Sequence, residues 1–134
     1  MEVPFIKGLI NLQKLQFEQA WNKTISQNDR HAVEQLFQQT VLLQEDYIAC
    51  PIFRQAINHK NEMLVTVLIH NFSDQELIFE NRNVHCLLDD GQVTQNFTIQ
   101  ALRIPEKTSM PWTFIFEDCA EFLFAKLLEV KIEE

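Results

Sequence analysis

The chain is poor in the residues that interrupt regular structure, with two glycines and four prolines among 134 residues. That scarcity excludes collagen-like repeats and long low-complexity tracts. Positive charge is also short: 11 Lys and Arg stand against 19 Asp and Glu, a net charge of −8. Nucleic acids and anionic membrane surfaces are held by clustered Lys and Arg, so neither is an expected partner. No stretch reaches the roughly 18 consecutive apolar residues that a membrane helix requires. Residues 1–12 carry Glu2 where a secretion signal has positive charge, and Lys7 and Asn11 interrupt an apolar run. They read as a leader ahead of a single domain at 13–134, and the expected location is the cytoplasm. Three Asn-X-Ser/Thr sequons, at Asn22, Asn71 and Asn96, are then coincidental. The three cysteines, Cys50, Cys86 and Cys119, are too widely spaced for a metal or redox motif, and reduced structural thiols are expected.

What is abundant is core material: 46% of residues are hydrophobic and 11 are Phe. Residues 61–71 are the organising stretch. Met63 to Ile69 run apolar or β-branched, with Val65, Val67 and Ile69 on one face and Leu64, Thr66 and Leu68 on the other. A strand apolar on both faces has neighbours on both and is central. Ahead of it, Leu15 and Phe17 alternate with polar residues as a short edge strand would, and a helix through Leu9, Leu12, Phe17 and Trp21 is the competing reading. Ser26, with Asp29 three residues on, starts a helix at about 28–41, whose stripe of Ala32, Val33, Leu36, Phe37 and Thr40 covers a sheet. Residues 44–49 read as a connector.

Residues 52–59 and 62–71 form the first antiparallel hairpin, and a short strand follows at 77–80. Residues 84–89 and 92–100 form the second hairpin around Asp90 and Gly91, a strong turn pair. That register sets Leu88 opposite Val93, Cys86 opposite Gln95 and Val84 opposite Phe97, with the apolar side chains on one face. The last strand, 109–117, turns Trp112, Phe114 and Phe116 inward. Beyond it, Ala120, Leu123, Phe124, Leu127 and Leu128 keep helical spacing and predict a helix near 118–129, while Val130 and Ile132 alternate with charges as a strand does. About seven short strands and one preceding helix predict a mainly β, α+β chain: an antiparallel sandwich of immunoglobulin type.

Candidate chemistry is sparse. His31, His59, His70 and His85 are scattered without the close spacing of metal ligands. The acid pairs Asp89–Asp90 and Glu133–Glu134 are explained by a turn and a solvated terminus. No catalytic residue, metal or cofactor is expected, and the chain reads as no enzyme. Phe72 and Trp112 are the rings that would anchor a protein partner if they stand at the surface.

Three segments carry a family resemblance: Leu64-Val65-Thr66-Val67-Leu68-Ile69-His70-Asn71, Asp89-Asp90-Gly91-Gln92-Val93, and the stretch from Ile104-Pro105 through Ser109-Met110-Pro111-Trp112 to Phe114 and Phe116. Over about residues 15–117 the chain resembles the SLAP domain of Gram-positive bacteria. The resemblance implies an association with accessory Sec export and surface-layer assembly, and brings no catalytic residues. The expected function is a non-catalytic protein-interaction module with a secretion-related partner, working through an edge strand or an apolar patch with an acidic rim. Homo-oligomers through an edge strand are compatible with it. The alternative is a sandwich that binds a small ligand or a metal.

Overall fold

A computed structural model of the protein describes residues 13–41, 47–117 and 119–134, and the leader predicted at 1–12 lies outside them. The chain runs β1 (Lys14–Leu15), α1 (Gln19–Thr24), α2 (Gln27–Thr40), β2 (Ile48–Ala49), β3 (Ile52–Ile57), β4 (Met63–Asn71), β5 (Leu77–Leu88), β6 (Gly91–Ile104), β7 (Thr108–Phe116), a 3₁₀ turn (Ala120–Phe122) and β8 (Leu127–Ile132). Two sheets stack. Sheet A has the order β1-β7-β4, with β2 and β3 both pairing on the far side of β4; sheet B has the order β6-β5-β8. The predicted β-sandwich with a flanking helix is thus what forms.

β4 is central, as its two apolar faces require. It pairs along its whole length with β7, from Met63 opposite Phe116 to Asn71 opposite Thr108. Its inward residues Met63, Val65, Val67 and Ile69 are fully buried. They meet a Phe cluster between the sheets, in which Phe114 lies 5.7 Å from Phe79 and 5.1 Å from Phe97, and Phe97 lies 5.4 Å from Phe116. Tilted and edge-on rings at these spacings add to the burial they already contribute.

The helix near 28–41 forms at Gln27–Thr40, and Ser26 is its N-cap: the Asp29 N–H donates to Ser26 Oγ at 3.0 Å. Val33 is the buried residue of its stripe. Arg54 of β3 ties down its start through a 2.9 Å pair with Asp29. The edge strand ahead of it is real but shorter than predicted, and the chain turns at once into α1, capped by the Glu18 carboxylate at 2.9 Å from the Ala20 N–H.

Three expectations are corrected. First, the strands predicted at 77–80 and 84–89 are one strand, β5. Asn81 takes a left-handed φ of 55°, which Asn tolerates, and its N–H donates to Thr98 Oγ1, so the strand bulges and does not end. Second, the hairpin turn is Asp89 and Asp90, with Leu88 opposite Gly91 and Cys86 opposite Val93. The slip from the predicted register is two residues, which preserves the face of every side chain. Gly91 has a φ of 155°, and a Cβ there would lie 3.0 Å from the Phe122 ring. Third, no helix forms near 118–129 among the described residues. After the 3₁₀ turn the chain becomes β8, pairing with β5 from Leu88–Leu127 to Val84–Ile132. The second edge of β5 needs a hydrogen-bonding partner, and that need outweighs the local helical spacing. The connector at 44–49 likewise ends in β2, which pairs Ile48 and Ala49 with Asn71 and His70.

Candidate functional site

The densest polar chemistry is buried beneath α2. His70, at the end of β4, has no exposed surface. Its Nδ1 lies 2.6 Å from Ser109 Oγ and its Nε2 lies 2.7 Å from Thr40 Oγ1. The direction of each bond can be deduced. Thr40 Oγ1 donates its single proton to the Leu36 carbonyl at 2.7 Å, so it must accept from His70 Nε2–H. His70 Nδ1 is then the acceptor, and Ser109 Oγ donates to it while accepting from Gln13 Nε2 at 2.9 Å. A one-way chain runs from Gln13 through Ser109, His70 and Thr40 to the helix backbone. It joins the segment leading into β1, two strands of sheet A and α2.

The arrangement holds His70 neutral. Burial pushes its pKa down to about 4, and its ring is stacked on Phe72 at 5.0 Å with Phe37 6.1 Å away. A Ser beside a His invites comparison with a nucleophile and its base, but a base must reach substrate, and both groups here are sealed and committed to internal partners. Gln13 Oε1 is a buried acceptor with no partner among the described residues.

Asn71 organises the adjoining turns. Its Nδ2 donates to the carbonyls of Gln75, Ile104 and Pro105, and its Oδ1 accepts from Ser73 N–H and Oγ. Lys107, at a left-handed φ of 50°, reaches the Phe72 carbonyl with its ammonium group. The start of the third segment that carries the family resemblance, Ile104 to Ser109, is therefore the structural partner of His70 and Asn71.

Phe72 itself is 4% exposed, so its ring is not at the surface. Trp112 is half-buried and stacked on Trp21 at 6.4 Å and 26° between planes. Cys86 and Cys119 are buried, Cys50 is half-buried, and all three are free. Burial pushes the Cys86 thiol up to about 12 and also raises that of Cys50, so neither forms a reactive thiolate. Of the remaining histidines, His85 lies on the outer face of sheet B, between Thr94 at 2.8 Å and Glu133 at 2.8 Å. Hydrogen bonds from His85 and Asn83 hold the Glu133 carboxyl below its usual range. Among the described residues no three of His, Cys, Asp and Glu converge as metal ligands.

The surface is the other candidate. The outer face of sheet B has no helix over it among the described residues. Leu87 and Ile78 of β5 are 43% and 39% exposed, Leu128 of β8 is 51% exposed, and Phe124 just before β8 is 94% exposed. The sandwich is closed at both open sides by glutamines that sequence reasoning passed over. Gln95 of β6 donates to the Ile115 carbonyl at 2.9 Å and accepts from the Glu117 N–H at 3.0 Å, bridging sheet B to the edge of β7. Gln55 of β3 does the same to Ala125 and Leu127 at 2.9 and 3.1 Å, bridging sheet A to β8. Each side-chain amide stands in for one residue of a missing strand.

No helix among the described residues is long and apolar enough to cross a membrane. No curated protein and no solved structure matches the chain. The family model for the SLAP domain matches residues 15–129, from the end of β1 into β8, so Thr40, His70 and Ser109 and the exposed Leu87 and Leu128 of sheet B fall within it, and the chain belongs to the SLAP domain family.

Proposed function

We propose that this domain is a non-catalytic protein-interaction module of the cytoplasm, serving accessory Sec export or surface-layer assembly. The observation that carries the reading is the contrast in how side chains are used. The groups with chemical potential, His70, Ser109 and Thr40, are spent on holding the fold, whereas Leu87 and Leu128 of sheet B, and Phe124 just before β8, are turned to solvent. Apolar side chains on an uncovered face are what a partner surface needs. The net charge of −8 favours a basic partner by long-range steering.

The test is photo-crosslinking in cells of the native host. A benzophenone amino acid placed at Leu87, Thr94 or Phe124 is expected to give a discrete adduct with an export or surface-layer component. The same group on the exposed side of α2, at Gln38, is expected to give none. Absence of an adduct from every surface position, or turnover of a small molecule by the purified domain, contradicts the reading.

A further inference from the structure

We infer that residues 91–97 of β6 form a docking edge for an extended segment of a partner protein, which adds to sheet B as a further strand and carries Lys or Arg where it passes the turn of Asp89 and Asp90. The inference rests on the interaction-module reading and supplies the place and the partner's chemistry.

The sandwich has four open edges, and three are guarded in ways that discourage strand addition. β3 follows Pro51, has a bulge between Ile52 and Arg54, and pairs Arg54 with Asp29. β8 carries Glu129 and Lys131 and has a bulge opposite Leu87 and Leu88. The free flank of β7 is occupied by the Gln95 amide and by Trp21 stacked on Trp112. β6 differs from all three. From Gly91 to Leu102 it has no charged residue and no proline. From Gly91 to Phe97 only Arg82–Leu88 faces it, in unbroken register.

The open hydrogen-bonding groups can be assigned. Leu88 and Gly91 close the two-residue turn and exchange bonds, so Cys86–Val93 and Val84–Gln95 do as well. The Asn83 carbonyl points the other way, accepting from Glu133 N–H beyond β8, as this alternation requires. Gln92, Thr94 and Asn96 therefore turn N–H and C=O outward from the sheet. Among the described residues no backbone group bonds to them there. Beneath this edge Gln95 closes the gap to sheet A, so an arriving strand meets a continuous surface.

Charge selects the occupant. Asp89, Asp90, Glu117 and Glu121 are exposed around the turn end of β6: Glu117 follows the Gln95 bridge, and Glu121 adjoins the ring that covers Gly91. Lys126 is the base among them, held beside Asp89 through backbone bonds. A second copy of this chain brings another −8, whereas a segment ending in Lys or Arg is attracted. Antiparallel addition, the more stable geometry, puts the C-terminal end of that segment at the acidic turn.

The test uses a synthetic peptide of alternating Thr and Val that ends in two lysines, titrated into the isotope-labelled full chain and followed by amide NMR. The expected result is shift changes centred on Gln92, Thr94 and Asn96. Replacing the two lysines by glutamates weakens binding several-fold at low salt, and the difference shrinks as salt is raised. N-methylating the peptide's alternate amides on one set of positions weakens it by about tenfold or more, and on the other set does not. Shifts centred on β3 or β8, no shifts at all, or a peptide-free dimer formed through β6 would each overturn the inference. If crosslinking then still captures an export component from another surface, the interaction-module reading survives without this edge; if no position gives an adduct, that reading fails on its own.

Discussion

The outer faces of the two sheets invert the usual relation between polarity and exposure. On sheet A the polar residues His70 and Ser109 are wholly buried, because α2 lies over them and Thr40 and Gln13 complete their hydrogen bonds. On sheet B the apolar residues Leu87 and Leu128 are about half exposed, because no element covers them among the described residues. A side chain's type says which environment it tolerates; the neighbour supplied by the rest of the chain decides which it receives. The covered face is specified by directional bonds and is costly to alter. The bare face contributes little to stability and is free to serve a partner.

The largest expected effect is on the covered face. His70→Ala removes a fully buried ring and leaves the Ser109 and Thr40 hydroxyls without it, at a cost of about 2–4 kcal/mol in urea denaturation. A loss below about 1 kcal/mol would show that the chain of bonds does not hold α2 down. The pH dependence follows from the same residue. Its pKa is lowered in the folded state from the ordinary 6.5 to about 4, so between those values the unfolded chain binds a proton that the native chain refuses. This contribution to stability is complete above about 6.5, falls as the pH is lowered toward 4, and levels off below. The linkage is worth about 3 kcal/mol at most. His70→Gln should flatten that part of the stability curve, and an unchanged curve would place the titration elsewhere.

Smaller effects attend the two glutamine bridges. Gln55→Ala and Gln95→Ala should each cost about 1–2 kcal/mol, since each strands an acceptor and a donor at a sheet edge. They lie on opposite sides of the sandwich, so the double variant should lose the sum within about 0.5 kcal/mol. The smallest effect is expected on the bare face: Leu87→Ser should change stability by no more than about 0.5 kcal/mol. A larger loss would mean that this face is covered in solution.

Much of this was legible in the residues. The two-faced apolar pattern of β4, the Ser26 cap, the inward Phe114 and Phe116, and the hairpin near Gly91 are local signals; the first three appear where their patterns point, and the hairpin forms with its turn one residue early, at Asp89 and Asp90. Residues 118–129 misled because Ala120, Leu123, Phe124, Leu127 and Leu128 keep helical spacing, yet of these only Leu127 is buried, and the decisive fact is the vacant edge of β5, set by distant parts of the chain. The role of His70 was half visible: it follows Leu64, Thr66 and Leu68 on the face that a helix must cover. Its partners Thr40 and Ser109 lie 30 and 39 positions away, Gln13 behind Ser109 lies 57 away, and no spacing links them. The β6 edge had a signal that went unused, an uncharged run of a dozen residues in a chain rich in acid.

Amide hydrogen exchange along β6 in the free protein tests the central claim most directly. The account predicts alternation: slow exchange at Val93 and Gln95, whose N–H groups bond to β5, and fast exchange at Gln92, Thr94 and Asn96, whose N–H groups face outward. Uniform protection across residues 92–96 would contradict it, because the edge offered to a partner would already be paired.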